Sequence, residues 1–142
     1  MIIPDVNLLI YAVNASSLNH AQAREWWEDL LYSGHPVGIY SGVASALVRI
    51  TTNRRASAKP LDVNTAFVHL NAWLKFPSVA FIEFESYDIA VVQKLLESAG
   101  TAGSLVSDAL IAAAAIRLKA TVHSVDSDFG RFPDLKWQTH LT

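Results

Sequence analysis

Met1-Ile2-Ile3-Pro4-Asp5-Val6-Asn7-Leu8-Leu9 decides how the chain folds, because it passes from an apolar strand to a helix through a single acid. Residues 2–4 read as a strand. Pro4 has no N–H to give to a ladder, so it belongs at the strand's carboxyl end, with Asp5 emerging just beyond it. Leu8, Leu9, Tyr11, Ala12 and Val13 continue as a helix with a broad apolar face. A short strand running at once into a helix is the unit from which parallel sheets are built.

The same alternation recurs downstream. Residues 14–19 form a polar turn, and residues 21–32 an amphipathic helix whose Trp26, Trp27, Leu30 and Leu31 face inward, ended by Ser33-Gly34. Residues 37–40 are a second strand, and Ser41 is placed as the cap of a helix running to about Thr52. After a loop at 53–60, Asp62 caps a helix through Leu74, and residues 79–84 form a third strand. A helix starting at Ser86 or Tyr87 ends at Gly100. The turn Gly100-Thr101-Ala102-Gly103 then leads into an Ala-rich helix over 105–119, a fourth strand over 121–125 and a candidate fifth over 136–139. With no internal repeat or long linker, residues 1–142 are expected to form one α/β domain with a central parallel sheet of four to five strands.

Composition supports a self-sufficient core. The chain has 142 residues, 51% of them hydrophobic, and at this length folding buries roughly two-thirds of the unfolded surface. There is no Cys, which excludes disulfides, thiolate metal sites and Cys nucleophiles. The longest apolar run, 109–116, is far shorter than the roughly 20 residues of a membrane span. No basic segment precedes Asp5 as a signal peptide would require, so a cytoplasmic location is expected. Lys plus Arg number 11 against 13 Asp plus Glu, a net charge of −2, but the distribution is skewed. No acid lies between Asp29 and Asp62, and that gap holds Arg49, Arg54, Arg55 and Lys59, either a phosphate-attracting surface or a solvated basic loop.

Three carboxylates stand where an open parallel sheet gathers its ligands, beyond the carboxyl ends of the strands. Asp5 follows the first strand, Asp126 follows the fourth, and Asp108 lies in the first turns of the helix before it. Each alone could be an ordinary helix cap or an acid favoured by the helix dipole. Brought together they would repel unless a cation sat among them, and oxygen donors select Mg²⁺ or Mn²⁺. Such a cluster can polarise a phosphodiester and activate water without a protein nucleophile. Asp128 is a fourth acid, or else the cap of the following turn.

Six motifs carry a family resemblance: Asp5-Val6-Asn7, Leu47-Val48-Arg49-Ile50-Thr51-Thr52-Asn53-Arg54, Gly100-Thr101-Ala102-Gly103, Ser107-Asp108-Ala109-Leu110-Ile111-Ala112-Ala113, His123-Ser124-Val125-Asp126-Ser127-Asp128-Phe129, and Arg131-Phe132-Pro133-Asp134-Leu135-Lys136-Trp137. In this order and spacing the chain resembles, from end to end, the PIN-domain ribonucleases, and among them the VapC toxins of bacterial toxin–antitoxin pairs. The resemblance implies a three-layer α/β/α domain, a Mg²⁺ or Mn²⁺ site and endonucleolytic cleavage of structured RNA. It implies metal-binding, catalytic roles for Asp5, Asp108 and Asp126, with Asp128 a lesser metal candidate and Asn7 and Ser124 in support. Arg49, Arg54, Arg55 and Lys59 would then track the RNA backbone. It also implies a homodimer, silenced by a VapB-type antitoxin whose C-terminal segment enters the active-site groove.

The chain departs from the family at one place. Many members carry a Glu on the helix after the second strand, whereas here Ser41-Gly42-Val43-Ala44-Ser45-Ala46-Leu47-Val48-Arg49 has no acid at Gly42 or Ala46. A Gly within a helix also costs about 1 kcal/mol relative to Ala. The alternative function is therefore a PIN-like module that binds RNA or protein without cutting. A phosphatase of the haloacid-dehalogenase type fits less well, since Asn7 stands where that chemistry wants a second Asp. None of His20, His35, His69, His123 and His140 reads as a metal ligand, and His123 is expected to pack. Trp26, Trp27 and Trp73 are expected to be buried, with some aromatic surface at Trp26 and Trp27 left for dimer or antitoxin contacts.

Overall fold

The computed structural model describes residues 1–140. Strand β1 (Ile2–Pro4) leads through Asp5 into α1 (Val6–Val13), followed by α2 (His20–Ser33), β2 (Val37–Tyr40), α3 (Ser41–Thr51) and α4 (Val63–Leu74). Then come β3 (Val79–Ile82), α5 (Asp88–Ala99), α6 (Val106–Leu118), β4 (Thr121–Ser124) and β5 (Lys136–Thr139). Short 3₁₀ turns at Gly103–Leu105 and Ser127–Arg131 precede α6 and follow β4.

The five strands form one parallel sheet in the order β3-β2-β1-β4-β5. Ile2 pairs with Val37 on one side and Thr121 on the other, so β1 lies at the centre. The chain winds outward from β1 through β2 to β3, then crosses back to β4 and β5. Right-handed crossovers in opposite directions place helices on opposite faces. Accordingly α1 to α4 pack together, and α5 packs on α6, giving three layers. The order reverses between β1 and β4, and at such a switch point the loops diverge and leave a crevice at the strands' carboxyl ends.

Burial on both faces explains why the strands read as continuous apolar runs rather than alternating ones. Ile3, Ile39 and Val122 are fully buried, and every residue of β2 is buried. Small side chains at Ala109, Ala112, Ala113, Ala114 and Ala115 let α6 lie close against the sheet. On the other face Trp27 and Trp73 meet edge to face, their centroids 5.3 Å apart, joining α2 to α4. Asp88, 1% exposed, accepts from Arg117 Nε at 3.0 Å and Nη2 at 3.2 Å, while that Nη2 also donates to the Glu83 carbonyl at 2.9 Å. This pair fastens the start of α5 and the end of β3 to α6.

Several local expectations shift. Asp62 caps α4 as expected, accepting from Thr65 N at 2.6 Å. Ser41 does not cap α3: β2 runs into the helix without an intervening residue, so the cap position falls on Tyr40, which makes no capping hydrogen bond. The third strand stops at Ile82, two residues early, where Glu83 is drawn to Arg117, and the fourth stops at Ser124. No helix among the described residues is long and apolar enough to cross a membrane.

Candidate metal centre

Asp5 and Ser124 meet at the switch point because adjacent parallel strands end in register. Pro4 pairs with His123, and Asp5 N donates to the His123 carbonyl at 2.8 Å, extending the ladder by one bond. Asp5 is the N-cap of α1, where Oδ1 accepts from Val6 N at 2.7 Å, and its Oδ2 accepts from Ser124 Oγ at 2.7 Å. Ser124 is fully buried and also accepts from Asp126 N at 2.9 Å, so one hydroxyl fixes the first acid and the backbone of the third. Burial raises the Asp5 pKa and the Asp126 charge adds to it, while the bonds from Ser124 and Val6 oppose the rise.

Asp126 caps the 3₁₀ turn, its Oδ1 accepting from Asp128 N at 2.8 Å. The capping role thus falls to Asp126, and the Asp128 side chain is left to join the acidic group. Carboxylate oxygens of Asp108, Asp126 and Asp128 all lie within 4.8 Å of one another. Burial, together with the charges of Asp5, Asp126 and Asp128, pushes the Asp108 pKa up to about 7. Three half-buried carboxylates at this spacing are a hard oxygen donor set whose repulsion a divalent cation would relieve, which fits Mg²⁺ or Mn²⁺. Asp5 adjoins this trio. Asn7 is half-buried in the first turn of α1.

A cavity of about 190 Å³ opens beside the acids, with Asp5, Ser107 and Asp108 on one side and α3 on the other. Gly42, Ala46, Arg49 and Ile50 share the face of α3 that lines it, at helical spacing. A side chain at Ala46 would enter the same cavity as Asp5 and Asp108, so α3 contributes no carboxylate there. Gly42 has its own explanation: an added Cβ would lie 3.0 Å from Cε1 of the Tyr40 ring. Its position in the first turn of α3 also avoids the full helix-interior cost. Arg54 and Arg55 are exposed on the loop after α3, whereas Lys59 lines a separate groove with Ile10, Val13 and Leu61.

Tyr40 and Ser107 escape a search confined to acids, although Tyr40 ends a strand and Ser107 precedes Asp108, which were the available signals. The sequence also hides a histidine pair. His140 N donates to the Ser124 carbonyl, and Nε2 of His140 lies 2.7 Å from Nδ1 of His123, with Trp26 stacked on His123 at 5.8 Å. Burial, with His140 and His35 nearby, pushes the His123 pKa down to about 4, and burial lowers that of His140. These neutral rings pack on the Trp26 indole behind β4.

The PIN domain profile matches residues 2–135. Ribonuclease VapC33 of Mycobacterium tuberculosis is 37% identical over 141 residues, covering 99% of both chains. Ribonuclease VapC37 of the same species is 34% identical over 137 residues, covering 96% of this chain and 95% of the relative. Among solved structures, a chain of VapBC2 from Rickettsia felis, bound to a promoter DNA fragment, superposes with a TM-score of 0.70 at 24% identity, covering 98% of each chain. VapC20 of Mycobacterium tuberculosis, described as a toxin that cleaves the sarcin–ricin loop, superposes with a TM-score of 0.70 at 16% identity, covering 96% of this chain and 99% of that one.

Proposed function

The chain belongs to the PIN-domain family, and from that premise we propose that it is a metal-dependent endoribonuclease of the VapC type, acting on structured RNA. The observation that carries this is the meeting of Asp108, Asp126 and Asp128 beside Asp5 at the sheet's switch point. The full-length likeness to proteins named ribonucleases supports it. Asp108, Asp126 and Asp128 would hold Mg²⁺ or Mn²⁺, with Asp5 completing the acidic site. A divalent cation held there supplies the charge that polarises a phosphodiester and acidifies an attacking water. Ser124 fixes the Asp5 carboxylate and the Asp126 backbone, with Asn7 beside them on α1. Arg49, Arg54, Arg55 and Lys59 supply positive charge for the RNA backbone. By the same likeness the protein would be a cytoplasmic homodimer silenced by a VapB-type antitoxin.

The α3 face favours a second function, RNA or protein binding without cleavage, because none of its positions lining the cavity beside the acids, Gly42 and Ala46 included, carries a carboxylate. One experiment separates the two. A mixed structured-RNA pool is incubated with Mg²⁺, Mn²⁺ or EDTA and the parent, Asp5→Asn or Ala46→Glu. Metal-dependent cutting by the parent, lost in Asp5→Asn, is expected. Cutting only by Ala46→Glu would identify a nuclease disabled by the missing acid, and no cutting by any of the three would favour the binding module.

A further inference from the structure

The cavity beside the acids is built unlike them. Its inner wall is apolar, formed by Val6, Val43, Leu110 and Ile111 with the Tyr40 ring, while Asp5, Asp108 and Arg49 are its charged members. Ala46 offers only a methyl group and Gly42 none, so α3 leaves open space where longer side chains would fill it. Gly42 packs against the edge of the Tyr40 ring, where a Cβ would stand 3.0 Å from Cε1, and the ring, only 3% exposed, closes the floor of the cavity. At about 190 Å³ the cavity exceeds the roughly 150 Å³ of an apolar cavity that accepts a benzene ring.

We infer that this cavity receives one unstacked nucleobase of the RNA, next to the phosphate placed at the carboxylates. The inference rests on the nuclease reading for the ligand's class and goes beyond it in assigning a base site. Asp5 and Asp108 belong both to the acidic site and to the cavity wall, so a strand whose phosphate lies at the acids has its neighbouring base within reach. Arg49 on the opposite wall favours a polyanion over an uncharged apolar segment. RNA is commonly read through bases splayed out of loops and seated against aromatic or apolar side chains. The absence of a long side chain at Ala46 thereby gains a positive role as the opening of a base pocket.

Binding separates this site from cleavage. On an Asp126→Asn background in Mg²⁺, anisotropy is measured with four single-stranded homo-oligoribonucleotides and with an abasic strand of the same length. At least one base-bearing strand is expected to bind about tenfold more tightly than the abasic strand. Ala46→Met, which fills the cavity from α3, and Leu110→Phe, which fills it from α6, are each expected to erase that preference while leaving abasic binding unchanged. Circular dichroism confirms that each variant folds. Equal binding of all strands, or a preference that survives both substitutions, overturns the inference and leaves the cavity to an apolar side chain of a protein partner. A base preference without cleavage by the parent keeps the pocket and defeats the nuclease reading. Cleavage without base preference does the reverse, and no RNA binding defeats both.

Discussion

Ser124 Oγ donates to Asp5 Oδ2 at 2.7 Å, joining residues 119 positions apart in the chain. The bond exists because β1 and β4 are adjacent and end in register, and it holds the first acid still at the point where the strand order reverses. Ser124→Ala leaves a buried carboxylate without its side-chain donor and is expected to cost about 1–3 kcal/mol in urea unfolding. It also removes a bond that holds the Asp5 pKa down. Unchanged stability would mean that Asp5 finds another donor.

Asp108 links the site to stability through pH. Its pKa rises from 3.8 in the free side chain to about 7 in the folded chain, so between these values the folded state holds a proton that the unfolded state releases. The stabilising contribution is therefore full below about pH 4 and is lost as pH rises through about 7. Without metal, the melting temperature is expected to fall from about pH 5 to about pH 8, with a smaller fall in Asp108→Asn. Mn²⁺ is expected to raise it much more at the higher pH, where it neutralises the clustered charge. Scanning calorimetry at the two pH values with and without Mn²⁺ checks both statements, and equal pH slopes in parent and variant would contradict them.

The placement of these two acids was legible because it follows from topology. A Pro-ended strand, an acid and a helix put Asp5 at the sheet's carboxyl end, and the Asp126 segment repeats the arrangement on the neighbouring strand. Which oxygen meets which donor was not legible. The sharing of Ser124 between Asp5 and Asp126 depends on the register of two strands far apart in sequence, and the freeing of Asp128 depends on Asp126 taking the cap. Tyr40 at the α3 cap, the Asp88–Arg117 pair and the His123–His140 contact arise likewise from long-range packing, to which periodicity and spacing are blind.

Arg117→Met strands a carboxylate that is 1% exposed and is expected to destabilise the fold by about 3 kcal/mol in denaturant unfolding. Removing the charge on both sides, in Asp88→Asn with Arg117→Met, is expected to recover part of that loss, because no unpaired buried charge remains. Strict additivity of the two single substitutions would show that the groups are not coupled.

If the loop after α3 tracks the RNA backbone, Arg54→Ala combined with Arg55→Ala removes two phosphate contacts. The slope of log affinity against log salt is then expected to fall by about 1.4 for single-stranded RNA. Lys59→Ala, whose side chain lines the groove with Ile10 and Leu61, is expected to change the slope less. Anisotropy titrations over a series of salt concentrations give each slope directly.

The carboxylates at the switch point are proposed to work through a bound cation. The most direct measurement is the initial rate of RNA cleavage as a function of Mn²⁺ concentration, for the parent and for Asp126→Asn. The rate is expected to rise saturably from no cleavage in EDTA for the parent, and in Asp126→Asn, which loses a ligand and not merely a ligand's support, the plateau is expected to fall or the curve to shift to higher Mn²⁺ by about a hundredfold. Cleavage by the parent that is indifferent to Mn²⁺ and EDTA, or undiminished in Asp126→Asn, would contradict that proposal.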